Sequence, residues 1–159
     1  MTVTIRPVEG GGGDARAWGA LRHALWPHAA APELLAEARA FLAGEEIATL
    51  AAAFLAEDRT ERRAVGFVEV SIRPFADGCQ SRPIPHVEGW YVEPAARQRG
   101  VGRALMACAE EWARALGFSE MASDTEVENE AALAAHARCG YVETERLVKL
   151  RKPLNRTAS

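Results

Sequence analysis

No apolar run in the 159-residue chain approaches the roughly 20 residues that cross a bilayer. The opening stretch, MTVTIRPVE, alternates apolar and polar residues and lacks the basic-then-apolar order of an export signal. The sequence therefore points to the cytoplasm and to no membrane contact. A basic excess is missing too. Nineteen Lys and Arg against 22 Asp and Glu leave a formal charge of −3, which argues against a general nucleic-acid binder, whose surface must displace counterions. Cys79, Cys108 and Cys139 are odd in number, widely spaced and form no CxxC pair, so they read as small buried thiols. The histidines at 23, 28, 86 and 136 show no HExxH or comparable spacing, and no metal centre is expected.

The length admits one hydrophobic core and not two comfortable ones. A first strand is expected over Val3–Val8, then a flexible turn over Gly10–Gly13. That glycine run has no Lys, Arg, Ser or Thr pattern beside it and reads as a spacer, not a phosphate loop. Asp14 is placed to N-cap a helix reaching Trp26, Pro27 stops it, and Pro32 suits the first turn of a second helix through Phe41. Ile47–Ala56 is open: its alanines favour helix, while its Ile, Leu and Phe fit either state. After a charged turn at Glu57–Arg63, AVGFVEVSIR alternates, with Val68, Val70 and Ile72 opposite Glu69, Ser71 and Arg73. That predicts a half-buried antiparallel strand. If its neighbour is the preceding segment, Ile47–Ala56 is a strand and the charged turn a hairpin.

A proline-rich loop over 74–85 leads to the strand-like HVEGWYV. Gly102–Gly117 predicts a helix with Leu105, Ala109, Trp112 and Leu116 on its apolar face. A short strand in SEMASD and a helix from Glu128 to Cys139, ended by Gly140, follow. The tail YVETERLVKLRKPL alternates again and is expected to close the sheet. No repeat or linker divides the chain. One α/β domain over residues 1–153, with a mostly antiparallel sheet, and a tail at 154–159 are expected.

The stretch ARQRGVGRAL joins a predicted strand to a predicted helix, where free N–H groups meet an anion. Gly100 and Gly102 let an anion approach the backbone, and Arg97, Arg99 and Arg103 add charge-assisted hydrogen bonds. Two nucleotide loops are excluded. There is no GxxxxGK[ST], and the third glycine of GxGxxG is replaced by Leu105.

The run Val92-x-Pro94-x-x-Arg97-Gln98-Arg99-Gly100-Val101-Gly102 resembles the acetyl-CoA signature of the GNAT superfamily of N-acetyltransferases. The resemblance implies that fold: a single mixed, mostly antiparallel sheet flanked by helices, with a splayed central strand pair and Ile47–Ala56 as a strand. It implies that acetyl-CoA is the co-substrate, held by Tyr91, Val92, Arg97, Gln98, Arg99, Gly100, Val101, Gly102 and Arg103. Backbone N–H groups near Val92 would then stabilise the oxyanion. Asn129 and His136, seven apart with Leu133 between, share a helix face. By resemblance Asn129 contacts CoA, and His136 stands where the family often has a tyrosine that protonates the departing thiolate. A packing histidine is the alternative.

Further segments occur in one order: Leu25-Trp26-Pro27, Ser71-Ile72-Arg73, Gly78-Cys79, Glu88-Gly89, Met121 to Thr125, Glu128-Asn129 and Glu143 to Arg146. Together they resemble the aminoglycoside 6′-N-acetyltransferase branch. This implies a polycationic amino-sugar acceptor bound by Glu88, Asp124 and Glu145, with Trp26 lining the pocket, and a homodimer, as is common in that branch. An alkylammonium has a pKa of about 10.4 and must lose a proton before it attacks; Asp124 or Glu88 can accept it, directly or through water, and electrostatic positioning without base catalysis fits as well. Locally, Trp26 also suits a core seal, Asp124 a turn cap and Glu145 an exposed strand face, while Glu126, Glu128 and Glu130 read as a charged helix entrance. Acetylation of another amine and a non-catalytic acyl-CoA-binding module are the competing functions.

Overall fold

The ambiguous alanine-rich segment is a strand, because it has a strand partner on both edges and helices over both faces. The computed structural model describes residues 1–47 and 49–154. Its elements are β1 (Val3–Pro7), α1 (Asp14–Leu25), α2 (Ala31–Leu42), β2 (Leu50–Asp58), β3 (Arg63–Arg73), β4 (Ile84–Val92), α3 (Val101–Ala115), β5 (Ala122–Ser123) and α4 (Glu130–Arg138). Ile47 precedes β2 and Ala48 lies outside the described residues. The strands run in sequence order across one sheet, antiparallel except for β4 and β5, which are parallel.

In β2, Ala52, Phe54 and Ala56 pack with Val68, Val70, Val101 and Leu105, while Ala53 and Leu55 pack with Trp18, Leu21, Ala38 and Phe67. A strand covered on both faces has no need of a polar side, which is why β2 carries no alternation. The same geometry corrects β3. Its expected solvent face is buried under α1, with Glu69 at 2% and Ser71 at 1% exposure. Glu69 accepts from Trp18 Nε1 at 2.9 Å and from Arg22 Nε at 3.0 Å. Burial pushes the Glu69 carboxyl up, against the opposing pull of Arg22 and Trp18. Removing Arg22 would strand that carboxylate, at a cost of about 3–5 kcal/mol.

Three local expectations change. Asp14 is the first helical residue and caps nothing; its carboxylate takes Arg6 at 2.6 and 2.9 Å and the Glu9 N–H at 2.9 Å. Leu116 lies beyond the last turn of α3 and is 58% exposed, whereas Met106 and Ala113 on the helix are buried. The tail does not close the sheet. Residues 141–154 form no strand, and Val142, Val148, Leu150 and Leu154 are 82%, 85%, 90% and 88% exposed. Alternation makes a strand only where an edge pairs it, and β5 offers two residues. Of the expected tail at 154–159, residues 155–159 lie outside the described residues. The three cysteines are free and partly buried, not fully so.

Candidate active site

The glycine–arginine loop turns directly into α3. Gln98 and Gly100 hold left-handed backbone, φ 60° and 79°, which breaks the chain direction just before the helix. The α3 ladder begins with Ala104 N–H to Gly100 O at 2.9 Å. The N–H groups of Val101, Gly102 and Arg103 precede that first bond and have no acceptor within the helix, beside exposed Arg99 and Arg103. The two glycines serve different ends. Gly100 has open space around it and is needed for its φ, whereas a Cβ at Gly102 would lie 3.2 Å from the Trp90 ring. Trp90 Nε1 donates to Gly102 O at 3.1 Å and fixes the helix start against β4. Arg97 turns back instead of reaching outward: its Nε donates to Val92 O at 2.8 Å, and its guanidinium stacks over Tyr91.

Beside this loop the sheet opens. β4 pairs with β5 only at His86 and Val87, so the Glu88–Val92 half of β4 has no partner strand on that edge among the described residues. Glu93 N–H donates to Val65 O at 2.8 Å. Antiparallel alternation then aims the N–H groups of Trp90 and Val92 at the open edge. Donors so placed, next to a helix start with unpaired N–H groups, suit an extended ligand whose polarised carbonyl rests on the strand.

β4 also carries a bulge. Val87 pairs with Val70 and Gly89 with Glu69, which leaves Glu88 as the extra residue. The bulge turns the Glu88 carboxylate onto Ser71 and Arg73. Ser71 Oγ and Arg73 Nε, the latter at 2.7 Å, donate to its Oε1, and Arg73 Nη2 donates to Oε2 at 2.8 Å. Burial opposes the Glu88 charge, yet His86, Arg73 and Ser71 together hold the carboxyl well below the ordinary carboxylate range. Such a carboxylate orients its neighbours and is a poor acceptor of protons. Trp26 packs against the same segment, and a Cβ at Gly89 would lie 2.8 Å from its ring.

Asp124 leaves β5 with its side chain 67% exposed, and its Oδ2 lies 3.6 Å from His86 Nε2. A cleft of about 1120 Å3 runs between the 74–79 segment, β4, β5 and the 139–147 segment, and brings together Arg73, His86, Asp124 and Glu145. Glu145 reaches the cleft from the irregular tail and not from a strand. The 74–85 loop is tied down at its far side, where Glu120 accepts the N–H of Gln80 at 3.1 Å and of Ser81 at 2.7 Å.

Asn129 stands just before α4 as its N-cap and His136 lies in its last turn. Asn129 caps the helix by accepting Ala132 N–H at 3.1 Å. His136 Nδ1 meets Ala132 O at 2.7 Å, and a carbonyl only accepts, so Nδ1 carries the proton. Its Nε2 then accepts from Ser123 Oγ at 2.8 Å. The ring is wedged edge-on between Trp90 and Tyr141. Neither nitrogen is free to deliver a proton, which argues against the expected acid role.

Sequence reasoning missed His86, Ser71, Arg73 and Trp90. The alternation that sets Ser71 and Arg73 on one face of β3 is the available signal, but alternation alone does not tell a solvent face from one covered by a helix. His86 stands two residues before Glu88 on a strand, a spacing that hides the bulge between them.

The model of the acetyltransferase (GNAT) family matches residues 18–141. The aminoglycoside N(6′)-acetyltransferase type 1 of Klebsiella aerogenes is 43% identical over 150 residues, 94% of this chain and 96% of the relative. The protein of the same description from Stenotrophomonas maltophilia is 45% identical over 146 residues, 91% of each chain. Among solved structures, AAC(6′)-Iy in complex with the bisubstrate analogue CoA-S-monomethyl-acetylneamine superposes with a TM-score of 0.85 at 35% identity, covering 97% of this chain and all of that one.

Proposed function

The chain belongs to the GNAT acetyltransferase family, and from that premise we infer that it transfers acetyl from acetyl-CoA to the 6′-amine of an aminoglycoside. The observation that carries this reading is the junction at β4. An anion-binding helix start opens on one side of its unpaired edge, and a cleft holding Asp124, His86 and Glu145 lies on the other. The residues present fit CoA. The free N–H groups of Val101, Gly102 and Arg103, with Gln98, Arg99 and Arg103 beside them, would hold its pyrophosphate. The Trp90 and Val92 edge would receive the thioester arm. Bound acetyl-CoA supplies the activated acyl group.

The chain's own residues divide the remaining work. Asp124 is the exposed carboxylate and accepts a proton from the acceptor's ammonium. Glu88, outside the cleft lining, holds Arg73 at the cleft by an ion pair, Glu145 adds charge complementarity for a polycation, and Trp26, packed on Gly89, would offer a sugar-stacking face. Asn129 stays a CoA contact through its free amide. His136 holds Trp90 and Tyr141 in place. Acetylation converts an ammonium to a neutral amide, which weakens a drug that binds through its positive charges and so confers resistance.

The enzyme works in the cytoplasm, the compartment of its co-substrate. It forms a homodimer, and the exposed apolar residues Val142, Val148 and Leu150 support that reading, because a second copy would cover them. Sedimentation equilibrium giving a monomer at micromolar concentration would remove the dimer. The test of function is thiol release from acetyl-CoA across a panel of amines, with mass spectrometry of the product. Acetylation at the 6′-nitrogen is expected, and none on an acceptor with a 6′-hydroxyl. Acetyl-CoA binding without turnover of any aminoglycoside would overturn the reading.

A further inference from the structure

His86 is buried to 3% exposure, lines the cleft and stands between two carboxylates. Its Nδ1 lies 3.4 Å from Glu88 Oε1, and its Nε2 lies 3.6 Å from Asp124 Oδ2. Nδ1 makes no hydrogen bond, a rare state for a buried ring nitrogen. The groups facing the ring are Glu88 from β4, Ser71 and Arg73 from β3 through their hold on Glu88, and Asp124 beyond β5.

We propose that His86 is a positioning and proton-holding residue that takes the acceptor's proton through Asp124. This rests on the acetyltransferase reading above. Ser71 and Arg73 hold Glu88 in place; in the relay the 3.4 Å gap between Nδ1 and Glu88 Oε1 closes to a hydrogen bond from Nδ1–H, which leaves the Nε2 lone pair for a proton arriving on Asp124. A carboxylate thus sets the tautomer of an imidazole, whose other nitrogen receives a proton. The gap at Nε2 is long for a hydrogen bond, as catalytic contacts often are before substrate arrives, and a small turn of the exposed Asp124 side chain closes it.

The proton count closes. The acceptor ammonium gives one proton to Asp124, which passes it to Nε2. The neutral amine attacks the thioester; the C–N bond forms and the C–S bond breaks. The second proton on that nitrogen leaves as the amide forms and balances the thiolate as CoA thiol. His86 returns the first proton to solvent through Asp124 after product leaves.

The decisive experiment compares pH profiles of kcat/KM for the full chain and its His86→Gln and His86→Phe variants, with CoA affinity measured by calorimetry as the control for folding. Both variants should bind CoA within about twofold of the parent and show kcat lower by about 100-fold. They should also lose the acidic limb of the profile, which a purely structural role would not move. Asp124→Ala combined with His86→Gln should be no slower than Asp124→Ala alone, because residues that act as a unit are not additive. In the unaltered protein, imidazole nitrogen resonances should record the proton on Nδ1 of His86; a proton on Nε2 instead would overturn the relay even if both variants misfold. An active parent whose variants keep its kcat and its acidic limb would overturn the relay alone. A parent that acetylates no aminoglycoside would overturn the relay and the function together.

Discussion

The donor side and the acceptor side of the β4 edge are built in opposite ways. The proposed donor side is one contiguous stretch, Val92 to Arg103, whose backbone N–H groups are set by the left-handed turns at Gln98 and Gly100. The proposed acceptor side draws single side chains from distant segments: Arg73 on β3, His86 on β4, Asp124 after β5 and Glu145 in the tail line one cleft, with Ser71 and Glu88 bonded beside it and Trp26 packed on Gly89. A backbone site depends on local conformation and tolerates change in most side chains. A side-chain site depends on the whole fold and changes with each residue. One half of the edge can therefore stay constant for a common donor while the other adapts to its acceptor.

Three substitutions would sharpen or break that division. Asp124→Ala should have the largest effect, a loss of about 100-fold or more in kcat/KM, with calorimetric CoA affinity unchanged. Wild-type turnover in that variant would remove Asp124 from the mechanism. Gly100→Val puts a β-branched residue at φ 79°, a strain of about 1–2 kcal/mol. CoA Kd should rise roughly tenfold, while the acceptor's KM at saturating donor should hold. If acceptor binding fell equally, the two halves would not be independent. Gly89→Ala is the mildest and tests the other half: its Cβ would press within 2.8 Å of the Trp26 ring. Displacing that ring should raise the acceptor's KM by about fivefold, on the scale of 1 kcal/mol. An unchanged KM, read from initial rates, would leave Trp26 as a core seal only.

Legibility in the sequence followed the same line. The loop from Arg97 to Gly102 was readable because glycine and arginine at fixed spacing report a local backbone need. The hairpin of β2 and β3 was readable once the strand at Val68–Ile72 required a neighbour. What could not be read was which polar residues go inside. Glu69 and Ser71 looked solvent-facing by alternation, yet α1 covers them, and Trp18 and Arg22 satisfy Glu69. His86 carried no motif; only the bulge at Glu88 and the pairing of β4 with β5 set it between two carboxylates. Asn129 and His136 were correctly placed on one helix, but the bonds that occupy them, to Ala132 and Ser123, are tertiary or capping details. The alternating tail shows the converse, since the pattern is present and a paired edge for it among the described residues is not.

The sequence by itself carried the α/β class, the order of elements through α4 and the glycine–arginine turn into a helix, and its resemblance to a known family implied the donor and the carboxylates of an acceptor site. The turn and the elements rest on backbone conformation and nearest-neighbour periodicity, which a chain carries locally; the donor and the carboxylates rest on the resemblance. The tertiary structure alone decided that Glu88 is sealed by Arg73 while Asp124 remains open to the cleft, and that His86 stands between them. The reason is physical: a carboxylate's capacity to take a proton depends on its neighbours and its access to water, and for residues this far apart in the chain both are set only when the sheet has formed.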